Sequence, residues 1–156
     1  MSLFSIHKRN RIGSLLVALQ FGFMLVLPTL AAPTVLKGGI PISAILLAIS
    51  SMLLFAWTLL HNRLGNFNIR PIPKSWGQLI TTGPYRLIRH PMYTSVLLGA
   101  AALALMSDPF LGWIAWAALA GVLLFKSILE ERWLRETHLG YDKYSRESKR
   151  FIPWVF

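Results

Sequence analysis

The chain alternates long apolar runs with short polar breaks. Four runs stand out, at residues 12–32, 42–60, 92–106 and 110–129. Runs of this length with almost no charge predict helices that cross a membrane. Pro28 lies near the end of the first run, and Pro41 stands just before the second. The third is short for a crossing at about 1.5 Å of rise per residue, so residues from 90 onward are expected to help complete it. Only Ser107-Asp108-Pro109 separates it from the fourth, which predicts a tight helical hairpin. The expected fold is all-α: a polytopic membrane protein with four transmembrane helices, forming one integral-membrane domain over residues 1–156.

The polar stretches divide into a connector at 62–89 and a tail at 130–156. From Asn62 to Thr82, with Gly65, Pro71, Pro73 and Gly77, no apolar period is sustained, and an irregular segment is expected. The tail predicts a short helix from Glu130 to Leu139, stopped by Gly140 in the position that commonly closes a helix. Tyr141, Tyr144 and the run Arg150-Phe151-Ile152-Pro153-Trp154 follow. Such an amphipathic, aromatic tail is expected to lie on the membrane surface or to fold back over the helix ends. Gly38-Gly39 reads as a loop, and the chain carries no repeat, low-complexity tract or glycine-rich nucleotide cradle.

Composition agrees with lipid. The chain is 54% hydrophobic and 14% charged, too apolar for an ordinary soluble domain. A net charge of +10 would suit nucleic acid, but the cations sit outside the apolar runs, as for contact with anionic lipid. With no cysteine, disulfides, thiolate nucleophiles and cysteine-bound metals are excluded.

The cations also predict orientation. Lys8, Arg9 and Arg11 precede the first run, and Arg63, Arg70, Lys74, Arg86 and Arg89 lie in the connector. Arg132, Arg135, Lys143, Arg146, Lys149 and Arg150 follow the fourth run, whereas the two opposite loops hold only Lys37. Both ends and the connector are therefore expected on the cytoplasmic side, of the inner (plasma) membrane in a bacterium. The first run, with Leu30-Ala31-Ala32 after it, has some features of a cleaved signal peptide. Pro33 directly after the cut argues for an uncleaved helix.

Chemistry concentrates in Gly83-Pro84-Tyr85-Arg86-Leu87-Ile88-Arg89-His90-Pro91-Met92-Tyr93, at the entrance to the third run. Singly, each residue has an ordinary role. Arg86 and Arg89 can mark the cytoplasmic side, Tyr85 and Tyr93 can be interfacial aromatics, and Pro91 fits a first helical turn. His90 makes a weak metal case alone, and His7, His61 and His138 show no ligand spacing, so no metal is expected. Five of the six acids lie between Glu130 and Glu147. Glu130-Glu131 would stand at a helix C-terminus, which disfavours anions, so nearby cations are expected to compensate. The hairpin brings Arg86, Arg89 and His90 to the same side. The result is either a structural ion-pair network or a polar pocket for a charged ligand.

Taken together, Gly83-Pro84-Tyr85-Arg86, Arg89-His90-Pro91-Met92-Tyr93, Glu130-Glu131, Gly140-Tyr141, Tyr144 and Pro153 resemble the isoprenylcysteine carboxyl methyltransferase family. Phospholipid N-methyltransferases share parts of the pattern. The resemblance covers roughly residues 66–154 and implies an integral-membrane enzyme using S-adenosylmethionine. It puts cofactor contacts at Tyr85, Arg86, Arg89, His90, Pro91, Tyr93, Glu130 and Glu131, with Arg89 and Glu131 central to catalysis. Glutamates can accept from an ammonium or ribose, and a guanidinium can fork a carboxylate. Lys126, one turn before Glu130, is a candidate to hold the substrate. Prenylcysteine enzymes tend to carry arginine just ahead of the glutamate pair, whereas this chain has Lys126 and Ser127, a point charge in place of a fork.

The implied reaction is methyl transfer to a small lipophilic or amphiphilic carboxylate, thiol or amine supplied from membrane lipid, with nucleic acid excluded as a partner. Glu131→Ala or Arg89→Ala is expected to remove cofactor binding without unfolding the chain. Two alternatives stand beside this: an NADPH-dependent enzyme like sterol reductases, which carry a similar Arg-His-Pro-x-Tyr segment, and a non-catalytic transport or assembly protein. No acid lies mid-membrane, where a transporter's coupling carboxylate would be expected.

Overall fold

The computed structural model describes residues 3–62 and 77–156. Within them the chain forms five α-helices: α1 (Leu3–Leu36), α2 (Ile42–His61), α3 (Pro91–Leu105), α4 (Pro109–Thr137) and α5 (Tyr141–Glu147). A 3-10 turn spans Gly83–Arg86. Three helices are long and apolar enough to cross a membrane, over Arg9–Leu36, Ile42–His61 and Pro109–Thr137. The fourth apolar helix, α3, has 15 residues, or about 22 Å of rise, short of the roughly 30 Å of a hydrocarbon core. Part of the expected irregular connector, with Arg63, Arg70 and Lys74, lies outside the described residues.

The apolar runs locate α2 and α3 almost residue for residue, because Pro41 and Pro91 mark their starts. Pro91 occupies the first turn of α3, where its missing N–H is not needed. The ends of α1 and α4 differ from expectation. α1 runs through Pro28 and Pro33 to Leu36. α4 continues past Glu130 to Thr137, so there is no separate tail helix from Glu130. The glutamate pair therefore sits inside a continuous helix, away from its C-terminal dipole. Gly140 has φ −84° and precedes α5, so it is not the left-handed helix stop expected of it.

α3 lies at the centre, packed on α2, α4 and α1, while α1 also packs on α4. Its small side chains allow this closeness: Ala100, Ala101, Ala102 and Ala104 are all buried. Ala100 and Ala104 share a core with Leu27 of α1 and Ala115, Leu119 and Leu123 of α4. The expected hairpin is present. Asp108 caps α4 by accepting from the Phe110 and Leu111 amides, at 3.0 Å each. Glycine is required at 112, since a Cβ there would come within 2.9 Å of the Ala104 carbonyl oxygen. Two polar ties add specificity: Ser51 Oγ donates to the Ser95 carbonyl at 2.7 Å, and Trp116 Nε1 to the Leu97 carbonyl at 3.0 Å. Large apolar side chains on the outer faces of α1, α2 and α4 remain exposed, as suits contact with lipid.

Candidate functional site

The site forms where the chain enters α3 and where α4 leaves its apolar stretch. Gly83 takes φ +60°, a conformation glycine adopts freely, and a Cβ there would overlap the His61 ring at the end of α2. Tyr85 is thus brought beside Asn62, whose Nδ2 donates to the Tyr85 hydroxyl at 3.0 Å. The chain then turns at Leu87 and passes through Ile88 and Arg89 to His90. There it meets the residues after α5, which fold back over the helix ends. The Lys149 amide donates to the Leu87 carbonyl at 3.0 Å, the Arg89 amide to the Lys149 carbonyl at 2.7 Å, and the His90 amide to the Arg150 carbonyl at 3.1 Å. This short parallel ladder is pinned at both ends. Tyr144 donates to the Tyr85 carbonyl at 2.7 Å, and Thr94 Oγ1 to the Phe151 carbonyl at 2.9 Å.

Glu131 sits at the centre, 1% exposed. Its Oε1 accepts from Arg89 Nε at 2.9 Å and Arg150 Nε at 3.0 Å, with His90 Nε2 at 3.2 Å. Its Oε2 accepts from Arg150 Nη2 at 2.9 Å, and Arg135 Nη2 lies at 3.6 Å. A buried carboxylate needs this many donors to offset the loss of water. Arg150 grips both oxygens in a fork, and the Glu131 carboxylate in turn raises the pKa of that guanidinium. Arg89 also donates through Nη1 to the Ser145 carbonyl at 2.9 Å and to the Ser148 carbonyl. Arg89 and Glu131 thus lock α4, the entrance to α3 and the segment after α5 into one body.

Glu130 faces elsewhere. Its Oε2 accepts from the Tyr93 hydroxyl at 2.9 Å and lies 3.7 Å from His90 Nδ1. The His90 imidazole therefore lies between the two glutamates, and it stacks on Tyr93 with centroids 5.3 Å apart and planes 3° apart. Glu130 opens on a cleft to which Tyr85, Arg89, His90, Tyr93, Tyr141 and Tyr144 contribute. The phenols are kept neutral. Burial pushes Tyr85 up to about 12, with the Asn62 hydrogen bond opposing the rise and Glu130 adding to it. Burial likewise pushes Tyr141 and Tyr144 well above the usual tyrosine range.

Of the residues expected to act together, the structure gathers Tyr85, Arg89, His90, Pro91, Tyr93 and Glu130 around this cleft, with Glu131 buried behind it. Arg86 is not among them: it is exposed and lines a separate depression with Lys143 and Glu147. Lys126 is buried away from the cleft lining, donating to Gln20 of α1 at 2.7 Å, its ammonium 5.2 Å from the Tyr93 ring centre. The contributors absent from the expected site include Asn62, Tyr141, Tyr144 and Arg150. Asn62 was discoverable as one of the two polar residues, with His61, that follow an apolar run. Tyr141 was discoverable from its spacing with Tyr144. Arg150 carried no local signal, because its pairing depends on the ladder.

The family described as phospholipid methyltransferase matches residues 40–139. The chain belongs to that family. The match to these phospholipid methyltransferases runs from the start of α2 to the end of α4 and includes Tyr85 to Tyr93 and both glutamates. It agrees with the resemblance carried by the motifs. Two curated relatives align over shorter stretches. One is the cobalt-zinc-cadmium resistance protein CzcN of Cupriavidus metallidurans, 36% identical over 77 residues, which are 48% of this chain and 35% of that protein. The other is the nickel-cobalt-cadmium resistance protein NccN of Alcaligenes xylosoxydans xylosoxydans, 32% identical over 78 residues, 49% of this chain and 36% of that protein. The matched stretch spans about a third of the length of these relatives.

Proposed function

We propose that this phospholipid methyltransferase family member transfers a methyl group from S-adenosylmethionine to a small lipophilic or amphiphilic carboxylate, thiol or amine. In this reading the chain crosses the bilayer four times, with both ends and the cleft on the cytoplasmic side. One observation carries it: Glu130, an acid on a continuous membrane-length helix, opens on a cleft with the Tyr93 hydroxyl and His90 beside it, whereas Glu131 is saturated by guanidinium groups. Family membership favours methyl transfer over the nicotinamide-dependent and non-catalytic readings.

The residues present fit the cofactor. S-adenosylmethionine supplies an activated methyl group on a cationic sulfonium. The Glu130 carboxylate suits an ammonium or ribose hydroxyls. The Tyr85 hydroxyl accepts from Asn62 and so retains a proton to donate. Arg89, His90 and Glu131 hold the walls in place. Methyl transfer asks the protein mostly for positioning and exclusion of water, and the ladder over His90 with the tyrosine lining provides both. An amphiphile is expected to arrive from the bilayer, since α1 and α2 present apolar faces and the cleft lies at their polar ends.

Isothermal titration of the protein in nanodiscs tests this. Wild type is expected to bind S-adenosylmethionine, and Glu130→Gln to bind it at least about tenfold more weakly, as for one charged hydrogen bond. Absence of any affinity in the wild type would sink the methyltransferase reading. Labelled cofactor incubated with membrane extracts then identifies the acceptor as the species that gains the methyl group.

A further inference from the structure

Tyr141 holds the one buried side-chain polar atom among the described residues that lacks a hydrogen-bond partner, its hydroxyl oxygen. The residue is 1% exposed and contributes to the cleft. Buried hydroxyls are rarely left unsatisfied, because they lose water and gain nothing in exchange. This ring cannot readily turn to find a partner. It packs edge-on against Tyr144 with centroids 5.9 Å apart, and the Arg135 guanidinium lies 5.7 Å from its centre. Burial holds the phenol in its neutral form, so it has a proton to give.

The surroundings say what should receive that proton. Arg89 contributes to the same cleft, with Nε and Nη1 already committed to Glu131 and to the Ser145 and Ser148 carbonyls. Arg135, which lies over the ring, also faces Asp142 at 3.3 Å and Glu131 at 3.6 Å. The acid that opens on the cleft, Glu130, is instead tied to Tyr93 and His90. The cleft therefore holds an acid, Glu130, and a phenol donor at Tyr141 that has the Arg89 and Arg135 guanidinium groups near it, together with the saturated Glu131 carboxylate. We infer that the Tyr141 hydroxyl is the recognition group for a carboxylate on the molecule held in the cleft. This rests on the methyltransferase reading, in which the carboxylate belongs either to the methionyl end of the cofactor or to a lipophilic acid acceptor.

Tyr141→Phe tests the idea, since it keeps the ring and removes only the hydroxyl. Binding is measured in nanodiscs for S-adenosylmethionine, for its decarboxylated analogue, and for a medium-chain fatty acid in protein saturated with S-adenosylhomocysteine. The expected result is about a tenfold loss of affinity for one carboxylate-bearing ligand and none for the decarboxylated analogue. Loss confined to S-adenosylmethionine assigns the contact to the cofactor, and loss confined to the fatty acid assigns it to the acceptor. Equal loss for the decarboxylated analogue, or no loss anywhere, overturns the inference. Thermal unfolding without ligand gives an independent readout: the variant should melt no lower than wild type, because an unsatisfied hydroxyl contributes nothing to the fold. A melting point several degrees lower would show an internal partner and overturn the inference even if the wild type bound no S-adenosylmethionine.

Discussion

Glu131→Gln keeps the size of a buried side chain and removes its charge. In the wild type both oxygens accept from guanidinium groups, Oε1 from Arg89 and Arg150 and Oε2 from Arg150. Either orientation of the glutamine amide turns its NH₂ against one of those donors. One charge-assisted bond is lost with the NH₂ at Oε2, and two or more with it at Oε1. Each contributes about 1.5–3 kcal/mol, and the bonds that remain lose the carboxylate charge. Relief of the carboxylate's own desolvation returns part of this, so the net cost falls near the roughly 3–5 kcal/mol of a broken buried ion pair. For a chain of this size, about 2–4 °C per kcal/mol converts that to a melting point lower by roughly 6–20 °C. Unfolding in nanodiscs, followed by tryptophan fluorescence, measures it. A variant that melts within about 2 °C of wild type, yet has lost cofactor affinity, would refute the argument and make Glu131 a ligand contact. The geometry thus adds a cost in stability to what the motif alone implies, that Glu131→Ala or Arg89→Ala removes binding while leaving the fold intact.

Three further outcomes follow from the same geometry. Lys126→Met replaces a buried ammonium by a side chain of similar volume, so stability should be unchanged or higher and cofactor affinity should stay within about threefold; a melting point several degrees lower would show the Lys126–Gln20 contact to be stabilising. The raised Tyr85 pKa means the folded state favours the neutral phenol, so this contribution is complete below about pH 10 and is lost as pH rises towards about 12. Denaturant unfolding should show stability falling over that window, less steeply in Tyr85→Phe, and an unchanged slope would count against the burial of that hydroxyl. Since the chain has no cysteine, Lys37→Cys, Phe110→Cys and Arg146→Cys can each be labelled with an impermeant maleimide on intact cells. The first two should react from outside and the third only after permeabilisation; Phe110→Cys behaving like Arg146→Cys would mean that α3 does not cross.

Legibility from sequence followed the range of the forces involved. The boundaries of α2, α3 and their hairpin partner are set by apolar runs ending at prolines and by the Asp108 cap, all local. The extension of α4 was hidden because Glu130, Glu131, Arg132 and Arg135 are polar yet favour helix, so a change in solvent was mistaken for a change in backbone. Arg9 reaching Glu136 at 2.8 Å supports that extension from α1, a contact no periodicity reveals. The gathering of Tyr85, Arg89, His90, Tyr93 and Glu130 was legible because linked motifs report a shared site. Lys126 lies outside the cleft lining because sharing a helical face with Glu130 does not fix what lies over that face, and here Tyr93 does.

Glu130 and Glu131 are one residue apart, and a helix turns them about 100° apart. That rotation resolves the difficulty posed by two adjacent acids more directly than compensation of a helix dipole would. Glu131 turns towards Arg89 and Arg150 and becomes the centre of a saturated network. Glu130 turns towards the cleft and keeps capacity to spare. The His90 ring between them means that whatever displaces Glu130 also presses on the network behind it. The ion-pair network and the cleft proposed to take a charged ligand, the two readings open at the sequence level, therefore meet on opposite sides of one imidazole. The network keeps the wall rigid, and this rigidity lets a pocket at the edge of a lipid-facing bundle hold its donors in place without a glycine-rich cradle.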